Sequence, residues 1–223
     1  MSVASPPSLS TGLWSHLASV AVLLPATYCV WDLIGQPHPV PFWLAIAIPL
    51  VHQFFVWICW RQRLNSLPTL SFSMYLPIFI VLLIARPISL LFLAFVDRDS
   101  LEITMSLRIL ITMALALPAA YAMYSVFRYF GVRRAAGADH YFAEYRNLPM
   151  ESRGLFKYTN NGMYLYGFLG IWAIAFGFAS LAAIVVCAFA HIYIWVHFLF
   201  VERPDMNYLY SQRPDPSSGE ILP

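Results

Sequence analysis

Long apolar runs separated by short polar breaks occupy the chain from Leu13 to Val201. A helix that crosses a bilayer needs roughly 20 mostly apolar residues. Runs of that kind cover 13–34, 41–60, 71–96 and 107–130. From Gly162 to Val201 the apolar character lasts for about two helix lengths, with Gly177 and Ser180 near its middle. That pattern predicts a tight C-terminal hairpin of two helices, and about six spans in all. The expected fold is all-α, a polytopic transmembrane helical bundle. Four helices would occupy 1–130, a basic loop 131–160 and the hairpin 161–210, with a loose tail over 211–223 that is rich in proline and serine. Pro25, Pro49, Pro77, Pro87 and Pro118 fall inside the runs. Helices in lipid tolerate proline where neighbours satisfy the freed carbonyls.

Composition sharpens this into a membrane protein. Apolar residues make up 60% of the chain, charged residues 11%, and the mean hydropathy is +0.67. A soluble domain of this length has too little interior for that much apolar surface. The net charge of +2 says less than where the charges fall. Arg61 and Arg63 open the break at 61–69. Arg128, Arg133, Arg134, Arg146, Arg153 and Lys157 lie in or beside 131–160, whereas 97–106 carries Asp97, Arg98, Asp99 and Glu102. The positive-inside rule then places both basic loops and both termini in the cytoplasm, in a bacterial inner membrane or the endoplasmic reticulum. The first run lacks a basic leader and a cleavage site, so it is expected to stay as a helix. Cys29, Cys59 and Cys187 lie in apolar runs without metal-ligand spacing and read as buried thiols. No metal site and no nucleic-acid partner is expected.

Several polar residues sit where lipid makes them costly. Arg86, beside Pro87, is expected either to pair with Asp32 and lock two helices, or to meet a lipid phosphate or substrate headgroup. In the last run, 100° per residue puts His191, Trp195, Phe198 and Glu202 on one helical face and Tyr193 with His197 on another. The stretch KYTNNGMYLYGFLGIW, residues 157–172, places Asn160 and Asn161 where an apolar helix begins. Either can cap that helix. The same N-terminus is otherwise a seat for a carboxylate or phosphate. Gly162 and Gly167 would admit a flat ligand, with Met163, Tyr164 and Tyr166 as its walls. The hairpin returns this stretch and Glu202 to one level.

These residues carry a family resemblance. The segment of about 153–210 resembles the integral-membrane methyltransferases that include isoprenylcysteine carboxyl methyltransferase and phosphatidylethanolamine N-methyltransferase. Asn161-Gly162-Met163-Tyr164 looks like a variant of the NPMY-like motif that opens their hairpin, with Gly162 in place of proline. Glu202, in VERPDMNYLY, matches the first glutamate of the motif that closes it, and Arg203 stands where the second is found. The resemblance implies S-adenosylmethionine as cofactor, held by residues among Tyr158, Asn160, Asn161, Met163, Tyr164, Gly167, Tyr193, Glu202 and Asp205. His197, His191 or Glu202 would take a proton from an amine nucleophile. The implied partner is a lipid or lipid-linked acceptor in the membrane, best matched by the amine headgroup of a phosphatidylethanolamine-type phospholipid. Two other readings stay open. One is a sterol-type reductase that uses NADPH and draws on Arg146, Arg153 or Arg203 for the extra phosphate. The other is a non-catalytic scaffold.

Overall fold

The computed structural model describes residues 5–159 and 161–211, and every regular element among them is helical, without a strand. Helices α1 (Leu13–Leu33), α2 (Pro39–Leu64), α3 (Phe72–Val96) and α4 (Met105–Ser125) follow the first four apolar runs. All five prolines sit inside them without ending a helix. A wide π-helical turn, Val126–Phe130, prolongs α4. The 131–160 segment contains three single helical turns, α5 (Val132–Ala135), α6 (Ala138–Tyr141) and α7 (Ala143–Arg146), and a 3-10 turn at Gly154–Lys157. A second π turn, Met163–Gly167, leads into α8 (Leu169–Gly177). Next come α9 (Leu181–His197), a third π turn at Phe198–Glu202, and α10 (Arg203–Ser211). Asn160 and the tail beyond Ser211 lie outside the described residues.

Five of these stretches are long and apolar enough to cross a membrane: α1, α2, α3, α4 with its π turn, and Leu181–Ser211. The first arm of the hairpin, Met163–Gly177, is apolar but shorter. The expected six spans are thus five long helices and one short one. The hairpin itself forms as expected, turning between Gly177 and Ser180.

Contacts at the loops sort the elements into two ends. At the far end, Asp97 closes α3 and ties down the hairpin turn. Its Oδ2 accepts from Ser180 Oγ at 2.6 Å and from the Ala182 N–H at 3.0 Å, a carboxylate at a helix N-terminus. Arg108 Nε donates to the Gly177 carbonyl at 2.8 Å, where α8 ends. At the near end, Asn65 Nδ2 donates to the Pro7 carbonyl at 2.9 Å, and the Leu155 N–H donates to Ser125 Oγ at 3.0 Å. Ser8, both basic segments and α10 therefore share one end of the bundle.

The core joins Trp31 of α1, Phe42 and Ile46 of α2, Leu93 of α3, and Phe189 and Tyr193 of α9. In lipid, apolar burial alone gives helices little reason to associate; close packing and polar contacts supply it. The buried Ala182, Ala183 and Ala190 let α9 approach its neighbours closely. Three expectations need correction. Arg61 belongs not to a loop but to α2, which runs to Leu64, and it is fully buried. Cys29 is exposed on α1 rather than buried, because α1 presents much of its surface outward. Arg86 and Asp32 do not pair: Asp32 accepts from the Gln36 side chain, and the Arg86 guanidinium lies over the Phe168 ring at 5.3 Å.

Candidate functional site

The two ends of the hairpin meet at one contact. The hydroxyl of Tyr164, on the second π turn, donates a hydrogen bond to Glu202 Oε2, at the end of the third. The Tyr164 ring packs against Trp195 at 5.8 Å and Phe198 at 5.4 Å. His191 completes the arrangement. Its Nδ1 accepts from Trp172 Nε1–H at 3.0 Å, so Nε2 carries the proton and donates to the Tyr164 carbonyl at 3.1 Å. All four residues expected on one face of α9 and its extension therefore converge on Tyr164. With both ring nitrogens engaged, His191 is built here as a strut between the arms of the hairpin.

The second face of α9 looks the other way, toward α1. The Tyr193 hydroxyl and His16 Nε2 share a hydrogen bond of 3.0 Å, and His197 lies 6.3 Å from the same imidazole and 6.1 Å from Trp60, ring to ring. His197 is buried and its Nδ1 has no partner among the described residues.

Beyond Glu202 the chain enters a buried ionic cluster. Asp205 Oδ1 lies 2.7 Å from Arg61 Nε, both side chains fully buried, and Asp205 Oδ2 lies 3.4 Å from His140 Nε2. Arg61 also donates to the carbonyls of Ser8, Phe200 and Val201. Pro204, four residues beyond Phe200, has no N–H to offer the Phe200 carbonyl, and the guanidinium reaches it. His140 Nδ1 lies 3.3 Å from Asp139, and its ring stacks on Trp60 at 4.0 Å. Gly137, at φ 81°, makes that possible, since a side chain there would run into the Trp60 indole. Burial acts to lower the His140 pKa. The hydrogen bonds and charges of Asp139 and Asp205 outweigh it and raise the pKa to about 9, so the imidazole is a cation at neutral pH.

The expected site residues thus separate into groups. Tyr164, His191 and Glu202 come together. Met163 is half-buried at the start of the same π turn, and Gly167 opens onto an apolar groove of ≈ 540 Å³ between α4 and α8. Tyr193 and His197 adjoin on the opposite face. Asp205 is spent on Arg61 and His140, and Tyr158 stands 74% exposed beside Lys157. Neither is drawn to the Tyr164–Glu202 contact. Among the described residues no side chain caps the hairpin helix, whose N-cap is Gly162; the Asn161 carbonyl accepts from the Tyr164 and Leu165 N–H groups, and Asn160, the other expected cap, lies outside the described residues. Sequence reasoning missed His16, His52, Arg61 and His140. The first two are single ionisable residues inside apolar runs, which is itself a signal of an interior polar site.

Chemically, the Tyr164–Glu202 region offers a carboxylate beside three aromatic faces. That donor set suits a ligand with an amine or hydroxyls and a delocalised or sulfonium cation. Because Tyr164 and Glu202 bond each other, a ligand binding Glu202 must replace that hydrogen bond. Comparison with known families shows that residues 107–213 are similar to the sequence model described as phospholipid methyltransferase. No curated protein and no solved structure matched the chain.

Proposed function

We propose, from the match of residues 107–213 to the phospholipid methyltransferase model, that the chain transfers a methyl group from S-adenosylmethionine to the amine of a phosphatidylethanolamine-type headgroup, beside Tyr164 and Glu202. The observation that carries the reading is the Tyr164–Glu202 hydrogen bond, which joins the two motifs across 38 residues. Bound there, S-adenosylmethionine supplies an electrophilic methyl group on a sulfonium that departs as a neutral thioether.

The chain's own residues bind, orient and take up a proton. Glu202 holds the amino group or ribose hydroxyls. Tyr164, Trp195 and Phe198 offer faces to the adenine or the sulfonium charge. His191 fixes the Tyr164 backbone through the Tyr164 carbonyl. An ammonium headgroup must lose a proton before its nitrogen attacks. Of the three candidate acceptors we assign Glu202, because His191 has both ring nitrogens engaged and His197 lies on the opposite face of α9, against His16 and Trp60. The rest of the catalysis is positioning in a site from which lipid and protein exclude water. The near end, with its arginines, is the cytoplasmic end, where basic residues draw anionic headgroups. The reductase reading gains little, because Arg146 holds the Asp139 and His140 carbonyls and Arg153 is taken by Glu151.

The test is calorimetry and thermal unfolding of the purified protein with S-adenosylmethionine and with NADPH. Labelled cofactor incubated with total lipid then identifies the product. Heat and protection with S-adenosylmethionine alone, and label in an amine phospholipid, are expected. Protection by NADPH alone, or by neither, refutes the proposal.

A further inference from the structure

Arg86 lies midway along α3, at a depth where an unpaired guanidinium is costly. Among the described residues it has no carboxylate partner. Its guanidinium covers the Phe168 ring, Phe168 packs on His191 at 5.3 Å, and His191 holds the Tyr164 carbonyl. Arg86 thus stands one ring away from the residues that frame the transfer site. It is also the shared positive neighbour of Tyr164, Tyr193, His197 and His52, which sets it toward the interior between α2, α3, α9 and the hairpin. His52, on α2, is 2% exposed, and neither of its ring nitrogens has a partner among the described residues. A buried imidazole has at least one N–H to donate, so it lacks an acceptor here. Both residues lie outside the segment 107–213 that the family match covers.

We propose that Arg86 and His52 form an anion seat for the transfer site, receiving the anionic oxygens of a zwitterionic ligand whose cationic end lies toward Glu202. This rests on the methyl-transfer reading above and deepens it. A planar guanidinium suits either a phosphodiester or a carboxylate, in each case through paired N–H bonds. Two ligands in the reaction carry such a group: the phosphate of the lipid acceptor and the carboxylate of S-adenosylmethionine. The phosphate is separated from its headgroup ammonium, and the carboxylate from the sulfonium, which matches a cation at one end of the site and an acid at the other.

Two ligand pairs test the seat on the purified full-length protein. Calorimetry compares S-adenosylmethionine with its decarboxylated form. Transfer assays compare phosphatidylethanolamine with a phosphate-free long-chain primary amine in the same micelles. In at least one pair the wild type should favour the anionic member about tenfold or more. Arg86→Gln should erase that preference, Arg86→Lys should keep part of it, and His52→Phe should reduce it. An effect in the first pair assigns the carboxylate to the seat; an effect in the second assigns the phosphate. The seat is overturned if the wild type binds and turns over yet prefers the anionic member in neither pair. It is equally overturned if Arg86→Gln, eluting and melting like wild type, keeps the preference. Where the Arg86 variants do not fold, the wild-type pairs and His52→Phe decide by the same criteria. Absence of both cofactor heat and transfer brings down the methyl-transfer reading itself, a result distinct from transfer without discrimination.

Discussion

Replacing Asp205 with asparagine keeps the side-chain shape and removes one charge from the buried Arg61–Asp205 pair. Both partners are fully buried at 2.7 Å, so the guanidinium left behind cannot reach water. Removing one partner of such a pair typically costs about 3–5 kcal/mol. Here Arg61 keeps the carbonyls of Ser8 at 2.7 Å, Val201 at 3.3 Å and Phe200 at 3.4 Å. Those dipoles soften the loss, so the lower bound of about 3 kcal/mol applies. Arg61→Met strands Asp205 less severely, because the His140 cation remains 3.4 Å away, and about 2 kcal/mol is expected. The double variant should cost about 3 kcal/mol, well short of the sum, because neither charge is then left alone. At roughly 2–4 °C per kcal/mol for a chain of this size, Asp205→Asn should melt about 6–12 °C lower. Thermal and denaturant unfolding in one detergent, on all four proteins, gives the cycle. If Asp205→Asn lies within about 0.5 kcal/mol of wild type, or the two single effects simply add, the cluster is not the coupled unit described.

Other outcomes follow from the same geometry. The folded pKa of His140, about 9, lies above its ordinary 6.5. Its contribution is therefore full below about pH 6.5 and disappears as pH rises through about 9. On the order of 3 kcal/mol is lost across that window, and unfolding followed from pH 6 to 10 should show it in wild type and not in His140→Phe. Glu202→Gln should weaken S-adenosylmethionine binding about 10–100-fold by calorimetry, whereas Tyr164→Phe, which keeps the ring, should cost no more than about tenfold. Equal effects would deny Glu202 a ligand role. Asp97→Asn removes a charged acceptor from Ser180 and Ala182, and should lower stability by about 1.5–3 kcal/mol in the same unfolding assay; an unchanged melt would refute that role.

The fold and the core of the candidate site were legible in the sequence to different depths. Hydropathy located the four leading helices to within a few residues, because bilayer thickness sets a length that the pattern must meet. Periodicity placed His191, Trp195, Phe198 and Glu202 on one face, and all four reach Tyr164. The spacing could not reveal that the last turn widens, because a π turn depends on tertiary contacts such as the Arg61 side chain donating to its carbonyls. Arg61 was read as a loop residue because its partner Asp205 is 144 positions away, and no local signal records such a pairing. The pairing of Arg86 with Asp32, one of its two expected roles, rested on depth alone. Depth does not specify which way a long side chain turns, and Arg86 turns toward the hairpin.

The π turn at Phe198–Glu202 sets a reading frame for everything beyond it. Each such turn holds roughly one residue more than an α-helical turn, and one residue is worth about 100° of rotation about the axis. Deleting a single residue between Phe198 and Val201 would let the segment close into ordinary helix. Glu202 would then swing away from Tyr164, and Asp205 away from Arg61, with no functional side chain altered. Insertions and deletions in this short window should therefore be purged far more strictly than substitutions there, and directed evolution that shuffles length instead of identity would find the boundary at once.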